Sequence, residues 1–159
     1  MHLVDQYAYG NRLRTVDPAQ KAALAVGAVG LCLLLDRPAV GGMAAGWMAA
    51  ITVGVAGVPA RALLAIFTAE AFFLALSAVG IAVSVGVAAP ADALASAAVG
   101  PVWFGVSRAG LDVMLHVVTR ALGATAAMNF LVLTTPVVDL LQLGRRLHLP
   151  PLLIDLAGL

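Results

Sequence analysis

Glu70, Asp112, His116 and Arg120 stand inside long apolar runs, and any chemistry at membrane depth would have to use them. Asp112, His116 and Arg120 recur at i, i+4 and i+8, so on a helix they form a slowly drifting stripe along one face. An ionised side chain near the centre of a bilayer costs at least ~2.5–3.5 kcal/mol, so each of these groups needs a partner or a wet cavity. A carboxylate and an imidazole one turn apart could hold a metal ion or pass a proton. Arg120 on the same face argues against a metal, because a fixed positive charge repels a cation. The reading favoured by the residues is therefore structural: an ion pair between Glu70 and Arg120, both shielded by neighbouring helices, with Asp112 and His116 near a helix end against headgroups or water. His2 beside the amino terminus could chelate a divalent metal through amine, amide and imidazole nitrogens. No further ligand lies near it in sequence, and a chain end has few fixed neighbours. A phosphate-binding GxxxxGK[ST] loop, an HExxH helix and a complete Ser-His-Asp set are all missing, so no catalytic residue is expected.

The elements that must position these residues follow from composition. The chain has 159 residues, of which 62% are hydrophobic and 11% charged, and its mean hydropathy is +1.03. A soluble domain carries roughly 25% charged residues. This one could not cover its surface with polar groups, so the solvent for that surface is lipid. The net charge of +1 says little about partners. One cysteine, Cys32, lies in an apolar run; it excludes a disulfide within the chain and reads as a small apolar residue. Arg12, Arg14 and Lys21 ahead of residues 22–35 imitate a signal peptide. Asp36-Arg37-Pro38 follows in place of a small-residue cleavage site, so the segment is resident.

Charges divide the sequence into an expected all-α integral membrane protein with about four spans, near 20–36, 39–58, 62–88 and 110–135. Residues 22–35 give 14 uncharged positions, short of the ~20 a spanning helix needs. That first span reaches full length only with Lys21 and Asp36 at its ends and their charges in the headgroup layer. Residues 38–60 give 23 uncharged positions, and 62–89 give 28 interrupted by Glu70 alone. Residues 90–108 contain Gly100-Pro101 and Trp103-Phe104 and read as a loop with a short interfacial or re-entrant piece anchored by the aromatics. Pro136 should end the last span. Beyond it, 137–149 places Leu140, Leu143 and Leu147 on one face against Asp139, Gln142, Arg145, Arg146 and His148, the pattern of an amphipathic helix. The expected domains are a leader over 1–19, a transmembrane helical region over 20–136 and a coupling region beginning at 137–159. Arginines and lysines number six on the side of the leader and tail against two, Arg37 and Arg108, on the other. The positive-inside rule then puts both termini in the cytoplasm.

Asp5-Gln6-Tyr7-Ala8-Tyr9-Gly10-Asn11-Arg12-Leu13-Arg14, with Pro18 and Lys21, resembles the start of the transmembrane T component of cobalt-type energy-coupling-factor importers, the CbiQ family. The resemblance continues in order through Gly57-Val58-Pro59, Gly100-Pro101-Val102-Trp103, Ser107-Arg108, Arg120-Ala121-Leu122, Thr134-Thr135-Pro136 and Arg145-Arg146-Leu147. It implies a non-catalytic subunit of an ATP-dependent transporter in a bacterial inner membrane, with no metal site and no cofactor of its own. ATP would be bound by partner ABC-type ATPase subunits, and cobalt or nickel by a metal-binding S-type membrane subunit; the bilayer is the other partner, and nucleic acid is not one. Arg145 and Arg146, with Arg12 and Arg14, are the residues expected to face the coupling machinery. The family continues beyond this point with Ala-Arg-x motifs in later coupling helices. The chain given ends at Leu159 before them, which reads as a truncation, and Ala60-Arg61-Ala62 sits at the entrance to a span and is not assigned that role. The alternatives are a T component for another micronutrient such as a vitamin, an assembly scaffold, or an unrelated intramembrane enzyme using Glu70, Asp112 and His116.

Overall fold

The computed structural model describes residues 7–35, 37–86, 92–99 and 102–146. Helix α1 runs Pro18–Leu34. It starts where Asp17 accepts a hydrogen bond from the Ala19 N–H at 3.0 Å, with Pro18 at the first position, where a missing donor costs nothing. Helix α2, Pro38–Ala50, again opens on a proline, and it continues into a π-helical turn, Ile51–Val55. The turn ends at Gly57, whose φ of 75° lets the chain reverse so that the Val58 N–H returns to the Thr52 carbonyl at 3.2 Å. Helix α3 is Ala60–Ala82, α4 is Arg108–Thr134, and after Pro136 the short α5 covers Val137–Arg146.

Three helical stretches, Pro38–Val55, Ala60–Ala82 and Arg108–Thr134, are long and apolar enough to cross a membrane, and α1 is a shorter apolar helix of 17 residues. The helical membrane architecture expected from composition is thus the one observed. The third span is shorter than expected: α3 stops at Ala82 rather than near 88, because Val83–Gly86 is a strand, β1. The region expected to be a loop with a re-entrant piece contributes β2, Ala93–Val99, and β3, Val102–Ser107. The three strands form an antiparallel sheet in the order β1-β3-β2. The β-branched and aromatic residues of β1 and β3 suit a pleated surface, with Trp103 turned into the fold and Phe104 out of it. Gly105 has no room for a side chain: an added Cβ would meet the Ala95 carbonyl and come within 2.7 Å of the Trp103 ring.

Helix α4 is the hub, in contact with α1, α2 and α3. The core gathers Ala25 and Ala28 of α1, Met48 of α2, and Ala126, Ala127, Phe130 and Leu131 of α4. Without a hydrophobic drive between helices in lipid, association depends on close packing, and small residues allow it. At Gly41 a Cβ would run into the Thr119 carbonyl. At Gly123 it would lie 2.7 Å from Cys32 Sγ and 2.8 Å from the Gly41 carbonyl oxygen. The backbones of α2 and α4 therefore touch. The outward faces are apolar, with Leu34, Met43, Trp47, Phe72, Phe73 and Val79 exposed.

Candidate functional site

Polar groups gather at the Thr134 end of α4. Pro136 carries no N–H, so the final carbonyls of α4 lose part of their helical partnership, and a helix C-terminus also carries partial negative charge. The leader and the first turn of α1 supply the missing donors. Lys21 Nζ reaches the Thr134 carbonyl at 2.9 Å and the Leu13 carbonyl at 3.3 Å. Asn11 Nδ2 lies 3.2 Å from the same Thr134 oxygen, 2.6 Å from the Ala8 carbonyl and 3.2 Å from that of Tyr7. Lys21 keeps only 3% of its surface exposed and Asn11 only 9%. This corrects the expectation that Lys21 stretches out to the headgroups. Its ammonium turns inward, where the helix-end carbonyl of Thr134, the turn carbonyl of Leu13 and the nearby charges of Asp17 and Asp139 compensate it.

The rest of the leader closes over the neighbouring helix ends. The Arg12 N–H donates to the Ala56 carbonyl at 2.9 Å, and the Arg12 side chain runs across Gly57, where an added Cβ would sit 3.4 Å from its Cδ and Nε. Arg14 holds its guanidinium carbon 5.7 Å from the centre of the Tyr9 ring. On the other side, α5 packs Leu140 against the core cluster and buries Gly144. Asp139 lies in its first turn and Arg145 and Arg146 in its last, each placed favourably for the helix dipole. Between α1 and α5 lies a polar groove of about 170 Å³ lined by Asp17, Pro18, Asp139, Gln142, Leu143 and Arg146. The expected helix over 137–149 is present as far as Arg146, and its last residues lie outside those described.

At membrane depth the Glu70 carboxylate accepts from Asn129 Nδ2, at 3.0 Å and 2.9 Å to its two oxygens. Among the described residues the expected Glu70–Arg120 pair is not formed, and Arg120 is exposed rather than shielded. The cause is register: Glu70 faces the α4 turn carrying Asn129, nine residues from Arg120 and so about 13 Å along the helix. Asp112, His116 and Arg120 instead line an open groove of about 380 Å³ with Val113 and Val117. His116 Nδ1 lies 2.8 Å from the Asp112 carbonyl; since a carbonyl only accepts, that nitrogen carries the proton and Nε2 is left for the groove. Glu70 does not converge with Asp112 and His116, because Asn129 stands 13 residues, about 20 Å, from His116. The shared cavity that an intramembrane enzyme would need is not formed by these three groups. Among the described residues no group of three His, Cys, Asp or Glu could hold a metal ion; His2 lies outside those residues.

The residues missed in sequence were Asn11, Lys21 and Thr134 as one cluster, and Asn129 as the partner of Glu70. The signal for the first was available in Thr134-Thr135-Pro136, since a helix stopped by proline needs donors from elsewhere.

A bundle of apolar helices around one central helix, its outer faces suited to lipid, defines a predominantly α-helical integral membrane protein, with the small sheet β1-β3-β2 as its non-helical part. The profile of the cobalt transport protein (CbiQ) family matches residues 10–159, and the chain belongs to that family. It is 38% identical over 66 residues to the cobalt transport protein CbiQ of Salmonella typhimurium, a stretch covering 42% of this chain and 29% of that protein. The match thus spans less than a third of the relative's length.

Proposed function

We propose that this chain is the membrane-embedded coupling part of an ATP-driven cobalt or nickel importer of the energy-coupling-factor type. It links ATPase subunits on the cytoplasmic side to a metal-binding membrane subunit and binds neither ATP nor metal itself. Membership of a cobalt transport family supports the cargo class. The observation that carries the coupling role is the joint at Thr134. One carbonyl there takes bonds from both Asn11 and Lys21, while α5 packs Leu140 against the apolar core cluster that holds Phe130 and Leu131 of the same helix. A displacement of α5 is passed directly to α4 through Thr135 and Pro136, and to α1 through Lys21. Hydrogen-bonded and packed elements of this kind move as a body, since close-packed interiors transmit strain. Arg145 and Arg146, on the last turn of α5, are the groups offered to the ATPase side, and both termini then lie in the cytoplasm.

The test is ATP-dependent uptake of Co²⁺ and Ni²⁺ into vesicles holding the full-length protein co-expressed with its neighbouring subunits. Wild type should couple hydrolysis to uptake. Arg145→Glu/Arg146→Glu should insert and assemble but hydrolyse ATP with uptake reduced at least about tenfold, a loss of ~1.4 kcal/mol in coupling. Normal transport by the double variant would remove the role of this pair, and absence of metal uptake by the wild-type complex would remove the importer reading.

A further inference from the structure

We propose that the Asp112–His116–Arg120 stripe of α4 binds the headgroup of an aminophospholipid, a lipid whose phosphate carries a primary ammonium two carbons away. The packing sets the depth of the stripe. Lys21, in the first turn of α1, bonds the Thr134 carbonyl, so α1 and α4 are level at that end. At the other end Cys32 of α1 abuts Gly123, and Gly41, three residues beyond the Pro38 start of α2, abuts Thr119 and Arg120. The turn between α1 and α2, with its exposed Arg37, is therefore close to the level of Arg120. Helix α4 has 27 residues, about 40 Å, against an apolar core of ~30 Å. Its surplus length lies at the Arg108 end, where the turns before Thr119 run on past α1 and α2. The end of α3 backs them: an added Cβ at Gly110 would lie 3.2 Å from the Ala82 carbonyl oxygen. The stripe thus crosses the headgroup layer, which is about 5–7 Å thick on each side. Arg120 starts about 5 Å inside the level of Pro38, and its side chain leans toward the Arg108 end, as helical side chains do, into that layer. Asp112, about 12 Å of helix farther out, stands at the outer edge.

The charge order of the stripe chooses the lipid. Deepest is a cationic donor: Arg120 is exposed and makes no ion pair or hydrogen bond among the described residues. Farther out come two acceptors. His116 Nε2 is one, because Nδ1 holds the proton against the Asp112 carbonyl, and the exposed Asp112 carboxylate is the other. An aminophospholipid carries the complementary groups in the same order of depth, its phosphate next to the glycerol and its ammonium toward water. The planar guanidinium of Arg120 suits the phosphate, and the ammonium N–H groups suit His116 and Asp112. A choline headgroup brings the phosphate but has no N–H to donate. A glycerol headgroup brings no cation and sets its negative charge beneath Asp112. Val113 and Val117 complete the open groove of about 380 Å³ and give the headgroup carbons an apolar wall. The inference goes beyond the importer reading and does not rest on it.

The test titrates the full-length protein in detergent micelles with dioleoyl lipids that differ only in headgroup, and native mass spectrometry counts the first lipid bound. Phosphatidylethanolamine should bind about fivefold more tightly than phosphatidylcholine or phosphatidylglycerol, the scale of one charge pair at a water boundary. Asp112→Asn should remove that preference while leaving phosphatidylcholine binding unchanged, and Asp112→Glu should keep it. Arg120→Gln should weaken phosphatidylethanolamine and phosphatidylcholine alike by about fivefold, since both carry the phosphate. Equal binding of the three lipids by the wild type overturns the proposal, as does a preference that survives Asp112→Asn. Tightest binding of phosphatidylglycerol also overturns it, because Arg120 would then be a plain anion contact. So does displacement of the lipid by an equal concentration of soluble glycerophosphoethanolamine, because the free headgroup would then suffice. Circular dichroism checks the fold of each variant; loss of helix in all three would make the stripe structural and would equally overturn the proposal. Metal uptake by the native complex can succeed or fail independently of this measurement.

Discussion

The two halves of α4 are anchored by different physics. Toward Thr134 the helix is fixed by donors from the leader and from α1, with Asn11 and Lys21 both on one carbonyl and Phe130, Leu131 and Leu133 buried around it. Toward Arg108 it is fixed by backbone proximity, with Gly41 and Gly123 allowing α2 to touch it, while the polar residues of that half point outward. One half meets its helix-end carbonyl with internal donors, though Asn11 Oδ1 and Thr135 Oγ1 stay buried without a partner among the described residues, and it is suited to act as a joint. The other keeps charge on its surface and is suited to meet something else. The difference teaches that polar residues in a membrane sequence need not serve one purpose, and that their placement relative to helix ends separates the uses.

The largest expected effect breaks the packed half. Gly41→Val places branched carbons where the Thr119 carbonyl and, at 2.9 Å from the Cβ, the Arg120 nitrogen already stand. The obstacle is backbone and cannot swing aside, so α2 must move away from α4. The destabilisation should reach about 3 kcal/mol, the upper part of the overpacking range. Reversible unfolding in bicelles measures it; a loss under about 1 kcal/mol would show that the two helices do not rely on this contact.

The next breaks the joint. Lys21→Met keeps the length and apolar stem of the side chain but removes the ammonium from the Thr134 and Leu13 carbonyls. Hydrogen bonds to a charged group contribute about 1.5–3 kcal/mol, and Asn11 still reaches Thr134, so the loss should fall near the lower figure. Amide exchange in the residues around Thr134 should rise, while exchange near Gly123 stays unchanged. Equal acceleration at both places would mean that the two halves of α4 are not separately anchored.

How much of this was legible in sequence depended on whether the cause was local. The helical membrane class followed from the apolar fraction, and the end of α4 followed from Pro136, because both act without knowing the tertiary fold. The strand Val83–Gly86 was hidden, because a short β-branched run continuing a helix is indistinguishable from more helix by periodicity. Glu70 was recognised as needing a partner, but opposite charge pointed to Arg120. The register of two packed helices put a neutral amide, Asn129, there instead. Lys21 was visible as a boundary residue, yet its direction depends on a carbonyl 113 residues away.

A double-mutant cycle sharpens that point at a smaller scale. Glu70→Leu and Asn129→Leu, singly and together, should show a coupling of about 0.6 kcal/mol and no more than ~1.7 kcal/mol, the range for interhelical polar pairs in a bilayer. Zero coupling would mean that the two side chains are neighbours without mutual stabilisation. A coupling above that range would give Glu70 the weight of a fully desolvated ion pair.

The smallest effect is expected at Arg14. Its guanidinium lies over the Tyr9 ring at 5.7 Å, but both residues are exposed. Water therefore weakens the attraction, and cation–π contacts at exposed sites contribute about 0.5–1 kcal/mol. Arg14→Gln should lower stability by no more than that, and Tyr9→Leu by a similar amount, with the double variant no worse than either alone if the contact is the whole effect. The hold on the Thr134 end of α4 runs through Asn11 of the leader and Lys21 of α1, so neither substitution should alter exchange around Thr134. That independence makes Arg14 a clean probe of partner contact. If Arg14→Gln lowers ATP-driven metal uptake by an order of magnitude while stability is unchanged, its guanidinium acts on a partner. If uptake is unchanged, Arg14 only stacks on Tyr9, and any partner contacts of this half belong to α5.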